Sequence, residues 1–255
     1  MTQPDSGAEA PPDSPDEALD DLTARLQAIK AERGYLLPHH GLMAVSAPDM
    51  LQAYATTYRA MTLTDRVLTP FEKEFIWLAI LIATDENEAT HHIAKFYRAG
   101  GTNAQVGAVA RLVAQIRGAA AFRFVGAFWQ SHMPWWDGRA EQRAARDAIA
   151  RDYGIEPWLL TLADAASRVC LDQHEALAWA IEDAYAQASG EDRIAETLML
   201  TMFPASVPRY VRAAEVWLKL IRDGRVAASA PYQAWASLTG QGGFDEASGK
   251  ANGHS

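Results

Sequence analysis

Apolar residues recur along most of this chain at three- and four-residue intervals, the period of an α-helix, and nowhere sustain the two-residue alternation of a half-buried strand. In the segment 16–33, Leu19, Leu22, Leu26 and Ile29 fall on one helical face before Gly34 stops the run. His39-His40 follow Pro38 in what reads as a loop, and Pro48 opens a stretch through Leu51, Tyr54, Tyr58 and Met61. Thr69-Pro70-Phe71-Glu72 carries a helix start: a capping hydroxyl, proline in the first turn, and a glutamate three places after the cap. That helix is predicted to run from Pro70 to about Thr84. A second is predicted from near Asp85 to the stop at Ala99-Gly100-Gly101, and a third from Thr102-Asn103 through Ile116. Further helices are expected at about 139–153, 156–171, 173–188, 190–203, 206–222 and 230–238, which makes the fold class all-α.

Residues 1–15 and 240–255 are rich in Pro, Gly, Ser and charge and read as disordered tails. Between them the sequence echoes itself. Glu88-Ala89, Gly101-Thr102-Asn103 and Arg123-Phe124-Val125 are answered in order by Glu175-Ala176, Ser189-Gly190-Glu191 and Arg209-Tyr210-Val211, at offsets between 86 and 88 residues. Two tandem units are therefore expected: 16–138, including lead-in helices, and 139–239. The connection from Phe128 to Arg139 packs three tryptophans into twelve residues, and is expected either to fill space or to wall a pocket for a flat organic ligand.

Composition narrows the function. About half of the 255 residues are apolar, and 32 acidic against 23 basic side chains give a formal charge of −9. That balance argues against nucleic acid or an anionic membrane as partner, since both need clustered Lys and Arg. Acid crowds the first 21 residues, as expected of a solvated segment. The single cysteine, Cys170, sits between Val169 and Leu171; no intramolecular disulfide can form, which fits a reducing cytoplasm. The N-terminus does not read as a secretory signal, and the longest apolar run, Phe75 to Ala83, is too short to span a bilayer.

The chemistry concentrates in Asp85-Glu86-Asn87-Glu88-Ala89-Thr90-His91-His92. Asp85 and Glu86 suit a helix N-terminus on electrostatic grounds alone. Glu88 and His92, four apart, would share a helix face, so that the carboxylate fixes and activates the imidazole as a proton shuttle. Glu74 lies among Phe75, Ile76 and Leu78 on the preceding helix; buried there, it would be pushed towards its protonated form, as a general acid needs. A surface salt bridge and a structural buried glutamate would account for the same spacing. Glu88-x-x-His91 matches half of a bundle di-iron element, but the second unit offers Glu175-x-x-Ala178, so no metal and no cofactor is expected. Arg123, set among Phe122, Phe124 and Val125, is the expected binder of a substrate carboxylate, unless it is structurally paired. Trp135 and Trp136 would cover the substrate ring.

Leu68-Thr69-Pro70, Lys73-Glu74-Phe75-Ile76, Glu88-Ala89-Thr90-His91-His92 and Tyr97-Arg98-Ala99-Gly100-Gly101-Thr102 together resemble the helical core of the carboxymuconolactone decarboxylase family, which includes the AhpD-like alkylhydroperoxidases. The resemblance extends over about 65–125, with a fainter echo over 155–220. It implies an all-α AhpD-like fold built of two repeats, a homo-oligomer, and a site between packed helices. It also sets Glu74 at the family's glutamate, Asp85 and Glu88 at its two cysteine positions, and His92 at its histidine. The absent thiol pair excludes a thiol peroxidase. The second unit, with Trp179 opposite His92 and Thr161 opposite Glu74, would be a degenerate site.

The expectation is thus a cofactor-independent lyase, a decarboxylase of a small cyclic or aromatic-derived acid. His92, Glu88 and Glu74 would be catalytic, and Arg123, Trp135, Trp136, Asp85 and His91 would bind substrate. The rivals are another proton-transfer enzyme (isomerase, hydratase or retro-aldol lyase) and a non-catalytic helical scaffold.

Overall fold

In a computed structural model, residues 15–242 are described; the two segments expected to be tails lie almost wholly outside them. The described residues are helical throughout, without a strand, so the all-α expectation holds. The chain forms two compact units, 1–64 and 65–255.

In the first unit, α1 (Pro15–Arg33), α2 (Pro38–Ser46) and α3 (Pro48–Tyr58) are followed by a π-helical turn, Arg59–Leu63. His39 and His40 thus stand in a helix rather than a loop, because Pro38 supplies the preset first-turn backbone and α2 starts there. His40 is enclosed: Arg33 Nη1 approaches its Nε2 at 2.9 Å, and the Leu37 N–H lies 3.1 Å from its Nδ1. Burial, then His39 and Arg33, push its pKa down to about 4. The Arg33 guanidinium also lies over the Tyr58 ring at 4.1 Å, and Arg59 pairs with Glu32 at 2.6 Å.

The second unit is built around α4 (Pro70–Thr84) and α9 (Pro157–Cys170), which pack on each other and are buried along most of their length. Around α4 lie α5 (His91–Arg98) and α6 (Asn103–Gly118); around α9 lie α10 (His174–Ala186) and α11 (Glu191–Leu200). α7 (Ala120–Phe128), α8 (Gly138–Tyr153), α12 (Val207–Arg222) and α13 (Ala230–Ser237) complete the unit.

The start of α4 is the predicted capping box: Thr69 Oγ1 accepts from the Glu72 N–H at 3.3 Å while Glu72 Oε2 accepts from the Thr69 N–H at 2.8 Å. Its end is set by Asp85, in the left-handed region (φ 54°), whose carboxylate pairs with Arg117 at 2.8 Å. Arg117 also donates to the Ile82 carbonyl, satisfying one of the orphan acceptors of the last turn. α6 opens on a second box, Thr102 with Gln105.

Two expectations require correction. The helix predicted from Asp85 begins only at His91, because the left-handed residue breaks the register and the Glu86 carboxylate takes the Glu88 N–H at 2.8 Å, a local bond that competes with helix formation. The aromatic connection does not bury its rings: Phe128, Trp129 and Trp135 are exposed, and Trp136 alone packs inward, 5.6 Å from Phe122.

Candidate functional site

Glu74 occupies an inward position near the start of α4 and His92 the second position of α5. The antiparallel sense expected of two helices joined by a short turn brings them together: His92 Nδ1 and Glu74 Oε2 are 2.6 Å apart, with the residues 2% and 7% exposed. With its Nδ1–H donated to the carboxylate, the imidazole is held in one tautomer, and Nε2, which has no hydrogen-bond partner among the described residues, is the nitrogen left for chemistry. The Trp77 indole, one turn on from Glu74, stacks on the imidazole at 4.4 Å and 21°, fixing the ring plane. The His91 ring lies 4.3 Å from that of His92 on its other neighbour. Burial, then His92 and Lys95, push His91 down to about 3, so it stays neutral near pH 7.

Two lysines belong to this region. Lys73, buried beside Glu74 in sequence, faces Glu196 of α11 at 3.5 Å, and Glu196 Oε2 also accepts the Val67 and Leu68 N–H groups at 3.0 and 2.8 Å. Lys95, three residues after His92, is half-buried; desolvation lowers its pKa while Glu74 pulls it back up. A lysine so placed sheds its proton more readily than one on the surface and still presents a cation close to the Glu74–His92 pair.

The structure therefore brings together Glu74, His91 and His92 of the residues expected from sequence, and separates the others. Glu88 is exposed in the turn before α5 and does not face His92; its carboxyl is raised by a hydrogen bond with Glu86. The expected i, i+4 pairing fails because only one of the two residues is helical. Asp85 is engaged with Arg117. Arg123, Trp135 and Trp136 make no hydrogen bond, ion pair or ring contact with Glu74 or His92 among the described residues. Sequence reading missed Trp77, Lys95 and the Lys73–Glu196 pair; a lysine inside the apolar run of α4 was the available signal for the last. Cys170 is buried, and burial pushes its thiol up to about 12, so it carries no thiolate near neutrality.

Residues 48–130, which include both helices of the pair, match the model of the carboxymuconolactone decarboxylase family. Neither the curated proteins nor the solved structures yield a match. No helix among the described residues is long and apolar enough to cross a membrane.

Proposed function

We propose that the chain is a lyase that decarboxylates a small cyclic or aromatic-derived acid by acid–base catalysis at Glu74 and His92. The observation that carries this reading is the buried 2.6 Å contact between the two side chains. Glu74 holds the Nδ1 edge of the imidazole, so that Nε2 is the position from which His92 exchanges a proton with the substrate. Lys95 supplies the cation that holds a substrate carbonyl or second carboxylate. As the carbon–carboxylate bond breaks, CO₂ leaves and its electron pair delocalises into an adjoining carbonyl. Nε2 then delivers its proton to the carbon, and the imidazole is reprotonated from solvent. Glu88 has no part in this scheme.

The same reading treats the second half as a duplicate without the chemistry. Supporting it, Pro70 and Pro157 open the two central helices and Asp85 and Asp172 both take left-handed backbone just after them, each pair 87 residues apart. Thr161 and Trp179 stand where the first half has Glu74 and His92. The exposed Leu42, Val45 and Met50 of the first unit support a homo-oligomer, and the lone cysteine a reducing cytoplasmic setting.

The test is CO₂ release from a panel of small acids with a carbonyl or conjugated double bond adjoining the carboxylate-bearing carbon. His92→Ala and Glu74→Gln are expected to lower kcat by about 10²–10⁴-fold with unchanged circular dichroism. Release that survives both substitutions would remove the proposal. Deuterium uptake from D₂O at a substrate carbon without CO₂ release would favour an isomerase on the same pair.

A further inference from the structure

One short helix of the second unit is apolar and yet buries nothing. α7 reads AAFRFVGAF, nine residues of which Arg123 alone is polar, and among its described side chains none is buried. A helix of this length is marginal in water without packing, and one that is apolar nearly all round is normally enclosed. Here a single side is covered: Phe122 lies 5.6 Å from Trp136, and Val125 is half-buried. The outer side carries Phe124 and Phe128, one turn apart with ring centroids 5.2 Å from each other, flanked by the exposed Ala121 and Ala127. Trp129, just past the helix, meets the Phe124 ring edge-on at 5.5 Å, and Trp135 follows on the connection, 6.0 Å from Trp136.

Area and charge say what covers this patch. Phe124, Phe128, Trp129 and Trp135 are 51%, 69%, 50% and 72% exposed. An aromatic side chain buries about 150–250 Å² when enclosed, so these four leave roughly 500 Å² of ring surface in water. That is more than half of the ~800 Å² each partner gives to a stable interface, and the exposed Ala121, Ala127 and Pro134 extend it. From Gly118 to Trp136 there is no acidic residue and one formal charge, Arg123, in a chain of net charge −9. Copies of so acidic a protein repel each other over most of their surface, and this stretch is where they meet without opposing like charges. A two-fold axis sets a patch against itself, which a nearly uncharged patch tolerates. The chain's own remaining segments do not match it: residues 1–14 and 243–255 hold only Met1 and Phe244 as large apolar side chains.

We infer that α7 and the turn after it form a two-fold interface with a second copy of this chain. The Phe124–Phe128 ridge of each protomer packs into the shallow grooves over Ala121 and Ala127 of the other, and Trp129 and Trp135 close the rim. The inference rests on the homo-oligomer reading above and assigns the contact to α7 rather than to the exposed side chains of the first unit.

Sedimentation equilibrium of the full chain tests this. The wild-type chain is expected to sediment as a dimer or a multiple of dimers, with a Kd for the two-fold contact of about 10 μM or tighter. Its tryptophan emission should move to shorter wavelength as concentration rises through that Kd, because Trp129 and Trp135 leave water. Phe124→Glu with Phe128→Glu, both exposed changes, is expected to weaken the contact about a hundredfold or more with native circular dichroism. Should that variant unfold, Trp129→Gln with Trp135→Gln, outside the helix, decides in its place, with about a tenfold loss expected. Leu42→Ser with Val45→Ser should leave the contact intact. A monomeric wild-type chain overturns the inference and the homo-oligomer reading together. A trimer, an oligomer untouched by the α7 changes, or one lost in Leu42→Ser with Val45→Ser instead, overturns the inference alone. A monomer that floats with phosphatidylcholine vesicles, and ceases to when α7 is changed, would give the patch to a membrane surface and likewise overturn it.

Discussion

Glu196 is the residue on which the geometry makes the sharpest demand. Its carboxylate, on α11, faces the ammonium of Lys73 on α4 at 3.5 Å and accepts two backbone N–H groups of the turn that leads into α4; both side chains are almost wholly enclosed. At that separation, and with an effective dielectric constant of about 20, the mutual attraction is about 5 kcal/mol. Most of it offsets the desolvation of the two ions, so the pair as a whole contributes little. Removing one ion is a different matter, since the other stays buried without the opposite charge it faces, at a cost of about 3–5 kcal/mol. Glu196→Gln is therefore expected to destabilise the second unit by about that amount. Lys73→Met should cost less, because the carboxylate keeps its two backbone donors. The double variant should be more stable than Glu196→Gln alone, since neither charge of the pair remains. All eight tryptophans lie between Trp77 and Trp235, so urea unfolding followed by tryptophan fluorescence reports on residues 65–255 and ignores the first unit. A cost below about 1 kcal/mol for Glu196→Gln, or no recovery in the double variant, would refute the argument.

Acid sensitivity should come in part from His91. Its pKa is pushed down to about 3 from an ordinary 6.5, so the unfolded chain takes up a proton that the fold refuses, and stability is lost as pH falls through that window. His91→Gln is expected to flatten the dependence of unfolding free energy on pH by up to about 1.4 kcal/mol per pH unit between those limits, and an unaltered slope would count against the assignment. Gly101 is required for space: a Cβ there would stand 2.2 Å from the ring of Phe96, which is fully enclosed beside Phe71 and Phe75. Gly101→Ala should cost about 1–3 kcal/mol in the same unfolding assay, and a neutral result would show that the ring yields.

Helix boundaries were legible wherever a backbone rule sits in the sequence. Thr69-Pro70 and Thr102-Asn103 begin helices at the expected places because a capping hydroxyl and a following glutamate or glutamine satisfy donors that any helix leaves open. α7 was not foreseen, and the start of α2 at His39-His40 was read as a loop. α2 is short and paired histidines disguise its period; α7 follows α6 with only Ala119 between them, so no stop signal separates the two. The break after Thr84 was hidden for a related reason: an aspartate in the left-handed region leaves no trace in composition, whereas a glycine there would have.

That hidden break decided how much of the site was legible. Spacing of four residues implies a shared face only if both residues are helical, and the turn from Asp85 to Thr90 withdraws Glu88 from α5 while leaving His92 in its second position. The imidazole still needs a carboxylate to hold its tautomer, and the one that serves is eighteen residues back, on the helix that returns alongside. Local periodicity cannot reach such a partner. Burial can: a lysine and a glutamate side by side within the apolar run of α4 are too costly to enclose without partners on other elements. Both partners are found in the structure, His92 on α5 for Glu74 and Glu196 on α11 for Lys73, so the two charges at the start of α4 tie that helix in two directions. The catalytic proposal rests on the first tie and the stability prediction on the second, and each is open to test without disturbing the other.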